Sequence, residues 1–481
     1  MSKAPFPFRI PPMDHQRNAL RKAFKKDAFG LFHGMGTGKT YTIINLSAAR
    51  FMDGNIDALI VLCPSPIKLV WEDELKKYCP VKYDAHVLDT GRKARLTKFV
   101  NSGPTNGIMK VLIVGIEALS QGNAIKYVLE FAQKHDCMIA CDESSRLKNA
   151  TSTRTKNATK VSRRCRYKAI ASGTPITQGI HDLYGQMNFL DPDIIGIHSW
   201  VTFRNTYCIM GGFEGRNIVG YRNTEELFEK IAPYVDIVRT EDVLDLPPKV
   251  HRQLRVDLTD EQLRIVEELG DMYEAQMEDL TLVASTALER LTRYQQVIGG
   301  HFPFVEGEDD VGRNIYGSKI LTKGSPKLRA LLDDIEDIPP DKKVVIWARF
   351  VPEIRMIVHA LQQKYGTDAV ADFYGGTEDF KESSAAFKTG AARFMVSNPA
   401  VGGMGQTWTV AEYEYGYSYS FSYEDWDQSG RRTWRKGQDK TVISTEIVAN
   451  HKYDMMIFHA IKRKGGLAKH VNSALRETGN E

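Results

Sequence analysis

The stretch FGLFHGMGTGKTYTIINL, Phe29 to Leu46, decides the fold. It opens with an apolar run that reads as a strand at Phe29 to Phe32, passes through a glycine-rich turn, and enters a helical pattern from Thr42 to Met52. Ile43, Ile44, Leu46 and Phe51 fall near one face of that helix. A strand that runs through glycines into a helix is the context a phosphate loop requires. Gly34, Gly36 and Gly38 let the backbone curl so that successive N–H groups, with those of Thr37 and the helix start, face an anion. Lys39 then offers a point charge to the β- and γ-phosphates of a nucleotide, and Thr40 offers a hydroxyl to Mg²⁺. The pattern G-x-x-x-x-G-K-[ST] departs at one place: His33 stands where the first glycine would be.

Outward from this loop, short β-branched runs alternate with helical patterns, which predicts a doubly wound α/β layer with a mainly parallel sheet. Strands are expected at Ala58 to Cys63, Val111 to Val114, Met138 to Cys141 and Ala169 to Ala171. The paired prolines of LDLPPK, Leu244 to Lys249, break regular structure and mark a boundary. A helical pattern from Thr259 to about Tyr294 and an acidic segment, Glu306 to Asp310, read as a helical region with an exposed loop. A second βα series follows, with strands at Val344 to Ala348, Ala369 to Tyr374, Phe394 to Ser397 and Thr441 to Val448, and a helix at Pro352 to Gln363. The expected organisation is an amino-terminal lobe with a helical extension (1–245), a helical inter-lobe region (246–325) and a carboxyl-terminal lobe (326–481).

The strand Met138 to Cys141 runs into Asp142-Glu143-Ser144-Ser145. Hydrolysis of a nucleotide needs a carboxylate to hold the metal's water shell and a base to orient the attacking water. Asp142 is assigned the first role and Glu143 the second. Two adjacent acids at a strand end are commonly solvated caps; behind a phosphate loop the catalytic assignment takes precedence.

With 481 residues, 64 Lys+Arg and 60 Asp+Glu, the formal charge is only +4, so any nucleic-acid contact must come from local clusters. Cys63, Cys79, Cys137, Cys141, Cys165 and Cys208 show no paired zinc-type spacing and read as reduced thiols. No apolar run approaches the roughly 20 residues of a membrane span, and MSKAPFPFRI lacks a signal peptide's apolar core. An intracellular protein without a membrane partner is expected.

At this point the residues resemble the Swi/Snf-like ATPases of helicase superfamily two, in order along nearly the whole chain. Gln16, in MDHQRNAL, is similar to the family's adenine-reading glutamine, and CPSPIKLVWEDEL (Cys63 to Leu75) to its motif after the second strand. SGTPI (Ser172 to Ile176) with DLYGQMNFLDP (Asp182 to Pro192) resembles the third motif, and EDVLDLPPK (Glu241 to Lys249) the inter-lobe crossing. VVIWARF (Val344 to Phe350) is similar to the fourth motif, and GGMGQTWT (Gly402 to Thr409), with Gly405, to the fifth. In YSYSFSYEDWDQSGRRTWRKGQ (Tyr417 to Gln438), the sixth-motif spacing Q-x-x-x-R-x-x-R-x-G-Q is kept by Gln428, Arg432, Arg435, Gly437 and Gln438. Departures are DESS in the DEAH-like motif, Trp434 in place of the usual histidine, and an additional arginine at 431.

The resemblance implies two tandem RecA-like lobes with helical insertions between them, and ATP with Mg²⁺ held by Gln16, the phosphate loop, Gly405 and Gln428. It also implies Arg432 and Arg435 as guanidinium fingers reaching the γ-phosphate, a role suited to arginine's fixed charge and planar fork. The expected activity is an ATP-driven motor that tracks double-stranded DNA and displaces or remodels bound proteins. A compact motor core is implied, from the cytoplasm or nucleoid of a prokaryote or encoded by a virus. Two other readings stay open: a strand-separating helicase on DNA or RNA, with single-stranded tracks, and an ATP-gated DNA-binding clamp or scaffold with weak motor activity. Candidate backbone contacts are Ser65, Lys68, Arg163 and Arg164, the last two from a stretch free of acids between Ser144 and Lys168. The alternating rings of Tyr413, Tyr415, Tyr417, Tyr419, Phe421 and Tyr423 are expected on one side of a strand, as a buried sheet face sooner than a base-stacking platform.

Overall fold

The computed structural model describes residues 6–91, 93–212, 215, 217–277, 283–308, 314–322, 324–403 and 406–478, with the backbone alone at 271–277, 283–288, 305 and 314–316. The chain divides into two units, Met1–Asp245 with Lys464–Glu481, and Leu246–Arg463.

The first unit carries seven parallel strands: β1 (Ala28–His33), β2 (Ala58–Cys63), β3 (Tyr83–Val87), β4 (Met109–Gly115), β5 (Cys137–Asp142), β6 (Tyr167–Ala171) and, beyond the small antiparallel hairpin β7 (Cys208–Gly211) with β8 (Asn217–Tyr221), β9 (Val235–Val238). Their order is β3-β4-β2-β5-β6-β1-β9. Every residue of β1, β2, β4 and β5 is buried, as continuous apolar runs covered on both faces must be. Because all seven run the same way, their carboxyl ends share one edge, where open α/β sheets bind ligands. The expected strands appear within two residues of their sequence bounds. β3 and β9 do not announce themselves in the sequence: YDAHV is a half-exposed edge strand mixing charged and apolar residues, and VDIV is only four residues long. Three helices matter for the site: α1 (Asp14–Phe24), α2 (Lys39–Met52) and α3 (Lys68–Tyr78).

The second unit repeats the plan with six parallel strands: β10 (Lys249–Val256), then, beyond the hairpin β11 (His301–Glu308) with β12 (Asn314–Ile320), β13 (Lys343–Trp347), β14 (Val370–Phe373), β15 (Phe394–Ser397), β16 (Ala411–Gly416) and β17 (Val442–Ala449). Their order is β10-β17-β16-β13-β15-β14. The helices Asp260–Met277 and Val283–Gly299 precede the hairpin.

Two sequence expectations are corrected here. Glu306 to Glu308 belong to β11 and not to a loop, while Asp309 and Asp310 lie outside the described residues. The aromatic row does not lie on one strand: β16 ends at Gly416, against which the ring of Tyr419 folds back where a side chain would collide. Tyr415 and Tyr417 are fully buried, as packing predicts, and Tyr423 opens the helix Tyr423–Thr433. All six cysteines are buried free thiols. Among the described residues, no helix is long and apolar enough to cross a membrane.

In the second unit the Glu353 side chain is completely buried. Glu353 accepts from Phe350 N (3.2 Å) and from the Ser418 hydroxyl, and its other oxygen points at Gly299, where no larger residue would fit. Burial pushes its pKa up to about 7, from 4.5 in an open chain. The unfolded chain thus ionises first, so stability falls as pH rises from about 4.5 to about 7 and levels off above. Denaturant titrations should show the wild type losing roughly 3 kcal/mol across that window relative to Glu353→Gln; parallel pH profiles would refute the assignment.

Candidate nucleotide and nucleic-acid site

At the carboxyl edge of the first sheet, β1 hands the chain to the phosphate loop and α2. Gly36 and Gly38 adopt φ of 80° and 84°, a left-handed backbone that favours glycine, and Gly38 caps α2. Gly34 is required for another reason, since a Cβ there would strike the Thr240 hydroxyl. Inside the loop, Thr37 Oγ1 donates to Gly34 O (2.7 Å) and Lys39 Nζ to the carbonyls of His33 (3.1 Å) and Gly34 (3.3 Å). Thr40 lies in the first turn of α2.

On the other side of the loop, α1 brings Gln16 onto it. Gln16 Nε2 donates to Thr37 O (2.9 Å) while its Oε1 accepts from Met13 N (3.0 Å), and His15 Nε2 also lies 2.8 Å from Thr37 O. The structure therefore brings together Gln16, Gly34, Gly36, Thr37, Gly38, Lys39 and Thr40 in the first unit.

Asp142 closes β5 beside them. Asp142 is 6% exposed, with Trp71 Nε1 donating to Oδ2 (3.0 Å) and Glu143 N to Oδ1 (3.1 Å). Burial raises its pKa, opposed by the Lys39 charge and the Trp71 bond. Glu143 takes φ of 51°, a strained backbone for a non-glycine residue and one that redirects the chain at the strand end. Just beyond, Ser144 Oγ donates to Gln186 Oε1 (2.7 Å), and Gln186 Nε2 donates to Pro175 O (2.7 Å), which ties the carboxylate turn to the SGTP segment. Gly173 of that segment lies beside Lys39, an added Cβ being 3.6 Å from Nζ. Trp71 and Gln186 both occur in motif-like stretches, but nothing in their spacing announces these partners. Trp71→Phe keeps the packing and deletes the bond to Asp142; turnover should fall about tenfold with the KM for ATP within about twofold, and unchanged turnover would make the bond incidental.

In the second unit, the helix Tyr423–Thr433 and the turn after it carry the sixth-motif residues. Arg432 is buried, and its guanidinium donates to Gly403 O and to Gln406 O (3.1 Å). Arg435 is half-buried and donates to Gln406 O (3.2 Å). Gln428 Nε2 reaches Glu424 (3.4 Å), Gln438 Nε2 holds the carbonyls of Ala411 (2.9 Å) and Thr433 (3.0 Å), and Trp434 Nε1 donates to Pro247 O (2.7 Å). Both arginines thus converge on the segment of the fifth motif, whose Gly405 lies outside the described residues.

The candidate nucleic-acid residues do not gather in one place. Ser65 follows β2 at the carboxyl edge, where its N and Oγ donate to Glu117 Oε2 (3.0 and 2.9 Å), and Lys68 opens α3. These two line a cavity of about 420 Å³ together with His86 and Arg95. Arg163 and Arg164 follow the helix Thr153–Ser162 and precede β6, which puts them at the opposite, amino-terminal edge of the sheet. Arg163 is already engaged there with Asn188 Oδ1 (2.9 Å).

A family model described as the SNF2-related domain matches residues 15–299, more than half of the chain. The chain belongs to the SNF2-related family. This SNF2-related chain is 24% identical over 505 residues to a DNA repair and recombination protein RAD54-like of Drosophila yakuba, which covers 95% of it and 62% of that relative. It is 23% identical over 478 residues to the Homo sapiens protein of the same description, covering 91% and 62%. It thus spans about three fifths of the length of these curated relatives. Among solved structures it is similar to the Sulfolobus solfataricus SWI2/SNF2 ATPase core in complex with dsDNA, with a TM-score of 0.44, 20% identity, and coverage of 98% of this chain and 97% of that one.

Proposed function

We propose that the chain is a DNA-dependent ATPase, an ATP-driven motor that moves along double-stranded DNA and remodels or displaces what is bound there. The observation that carries this is the juxtaposition, at one edge of the first sheet, of the phosphate loop with Lys39 and the Asp142-Glu143 pair, within a stretch matched by the SNF2-related model. Gln16 and the loop hold ATP; Glu143 orients water against the γ-phosphate and takes its proton; Arg435 offers a guanidinium to the charge that spreads over the transferring group. Each oxygen of Asp142 accepts one protein hydrogen bond, which leaves lone pairs for a metal's water shell. With the Thr40 hydroxyl it makes the hard-oxygen donor set that suits Mg²⁺, which when bound neutralises phosphate charge. Ser65 and Lys68 contact the phosphate backbone of the track from the same edge. Arg163 and Arg164, if they touch nucleic acid, touch it elsewhere.

ATP turnover across duplex, forked and single-stranded DNA and RNA, at several salt concentrations, tests the proposal. Duplex without free ends should stimulate best, and stimulation should weaken steeply with salt. Preference for RNA or for free single strands would replace it with a strand-separating helicase, and binding without turnover would leave a clamp.

A further inference from the structure

Asp236, on β9, is a buried carboxylate that no motif contains, and it joins two elements of the ATP site. Its Oδ2 lies 2.8 Å from Nε2 of His33, the residue in the place of the phosphate loop's first glycine, and its Oδ1 accepts from Lys22 Nζ of α1 (2.7 Å). His33 is fully buried and Asp236 nearly so. β9 fastens the start of the loop, because Gly34 N donates to Val238 O (2.7 Å) and, just past the strand, Thr240 Oγ1 donates to Met35 O (3.0 Å). α1 fastens its end, through Gln16 and His15 on Thr37 O. One carboxylate therefore ties the helix carrying Gln16 to the strand that launches the loop.

Resting on the reading of this site as an ATP site, we propose that Asp236 is a positioning residue that fixes α1 against the phosphate loop and thereby sets the preference for adenine over guanine nucleotides. With Lys22 and His33 both anchored on it, Gln16 has one distance from the phosphate seat, and a base presented there is read at that distance. Burial holds the His33 pKa down, while His33 and Lys22 oppose the burial of the Asp236 charge and leave its pKa low. The bond to Lys22 is thus charge-assisted and survives at neutral pH.

The test is the dissociation constants and KM values of ATP and GTP for wild type, Asp236→Ala, Asp236→Asn and Lys22→Met. Losing a charge-assisted bond corresponds to about tenfold. Asp236→Ala should weaken ATP about tenfold, keep kcat within about twofold, and lower the ATP-over-GTP ratio about tenfold. Asp236→Asn, whose amide can still bond to both partners, should recover most of this. Lys22, with a side chain 55% exposed, leaves no cavity when replaced, and Asp236 keeps His33 as a partner, so Lys22→Met should fold, with a melting temperature lowered by a few degrees at most, and lower the ATP-over-GTP ratio even where Asp236→Ala does not fold. A ratio unchanged in Lys22→Met overturns the proposal, as does a loss in Asp236→Ala equal for both nucleotides. If wild type binds neither nucleotide, the ATP reading itself fails, and this proposal with it; if it binds ATP and only the ratios stay fixed, this proposal alone fails.

Discussion

Lys39→Ala should cut ATP turnover by about a thousandfold or more and leave the melting temperature within a few degrees of wild type. Removing a preorganised charge from the transferring phosphoryl group costs on this scale. The ammonium lies beside His33 O, Gly34 O and the Asp142 carboxyl, so its removal takes a charge away from Asp142 and one donor from each of the two carbonyls. Glu143→Gln should give a similar loss through a different step: nucleotide still binds, because the amide keeps the size of the carboxylate, but no base takes the proton from water. Turnover measured under saturating ATP, alongside nucleotide binding by titration, separates the two. Wild-type rates in both variants would remove the hydrolytic assignment of this edge.

Arg435→Ala should also cost about a thousandfold in turnover, but Arg432→Ala should fail for another reason. Arg432 is buried, and its guanidinium satisfies backbone carbonyls of Gly403 and Gln406; alanine leaves those groups without their donor. A loss of about 2–4 kcal/mol in stability is expected for Arg432→Ala. Arg435 is less buried, and its bond to Gln406 O is 3.2 Å long, so its alanine variant should lose less stability than Arg432→Ala. The two arginines, equivalent by spacing in the sequence, differ in burial: both bond to the fifth-motif segment, and Arg432 is the more deeply enclosed of the two. Chemical denaturation of both variants next to their ATPase rates decides the matter, and an unstable Arg435→Ala with a stable Arg432→Ala would exchange the roles.

How much of this was legible beforehand follows from the physics of each element. β1, β2, β4 and β5 are buried on both faces, so they appear as apolar runs, too short for helices, with turn signals beside them. β3, an edge strand of mixed polarity, has no such signature, and β9 is too short for one. The phosphate loop and the Asp142-Glu143 pair are local in sequence, and a local pattern is what a reader of sequence can weigh. The Trp71 bond to Asp142 spans 71 positions, the Ser144 bond to Gln186 spans 42, and the His33 contact with Asp236 spans 203. Only the sheet order brings those partners together. The acid-free stretch before Lys168 shows the complementary limit: composition gives its charge but not its direction, and the turn before β6 places Arg163 and Arg164 at the sheet edge away from the loop.

The first unit is discontinuous: its last piece, from Lys464 onward, comes from the far end of the helix Lys452–Thr478, where Arg476 pairs with Asp242 and Ser473 with Arg239. On the ribosome, the whole of Leu246–Arg463 must be made before that piece exists. At about 5–20 residues per second this delay lasts roughly ten to forty seconds. The unit whose synthesis starts first is therefore the one completed later, and a stop directly after Arg463 removes a piece of the first unit while every residue of Leu246–Arg463 is already made.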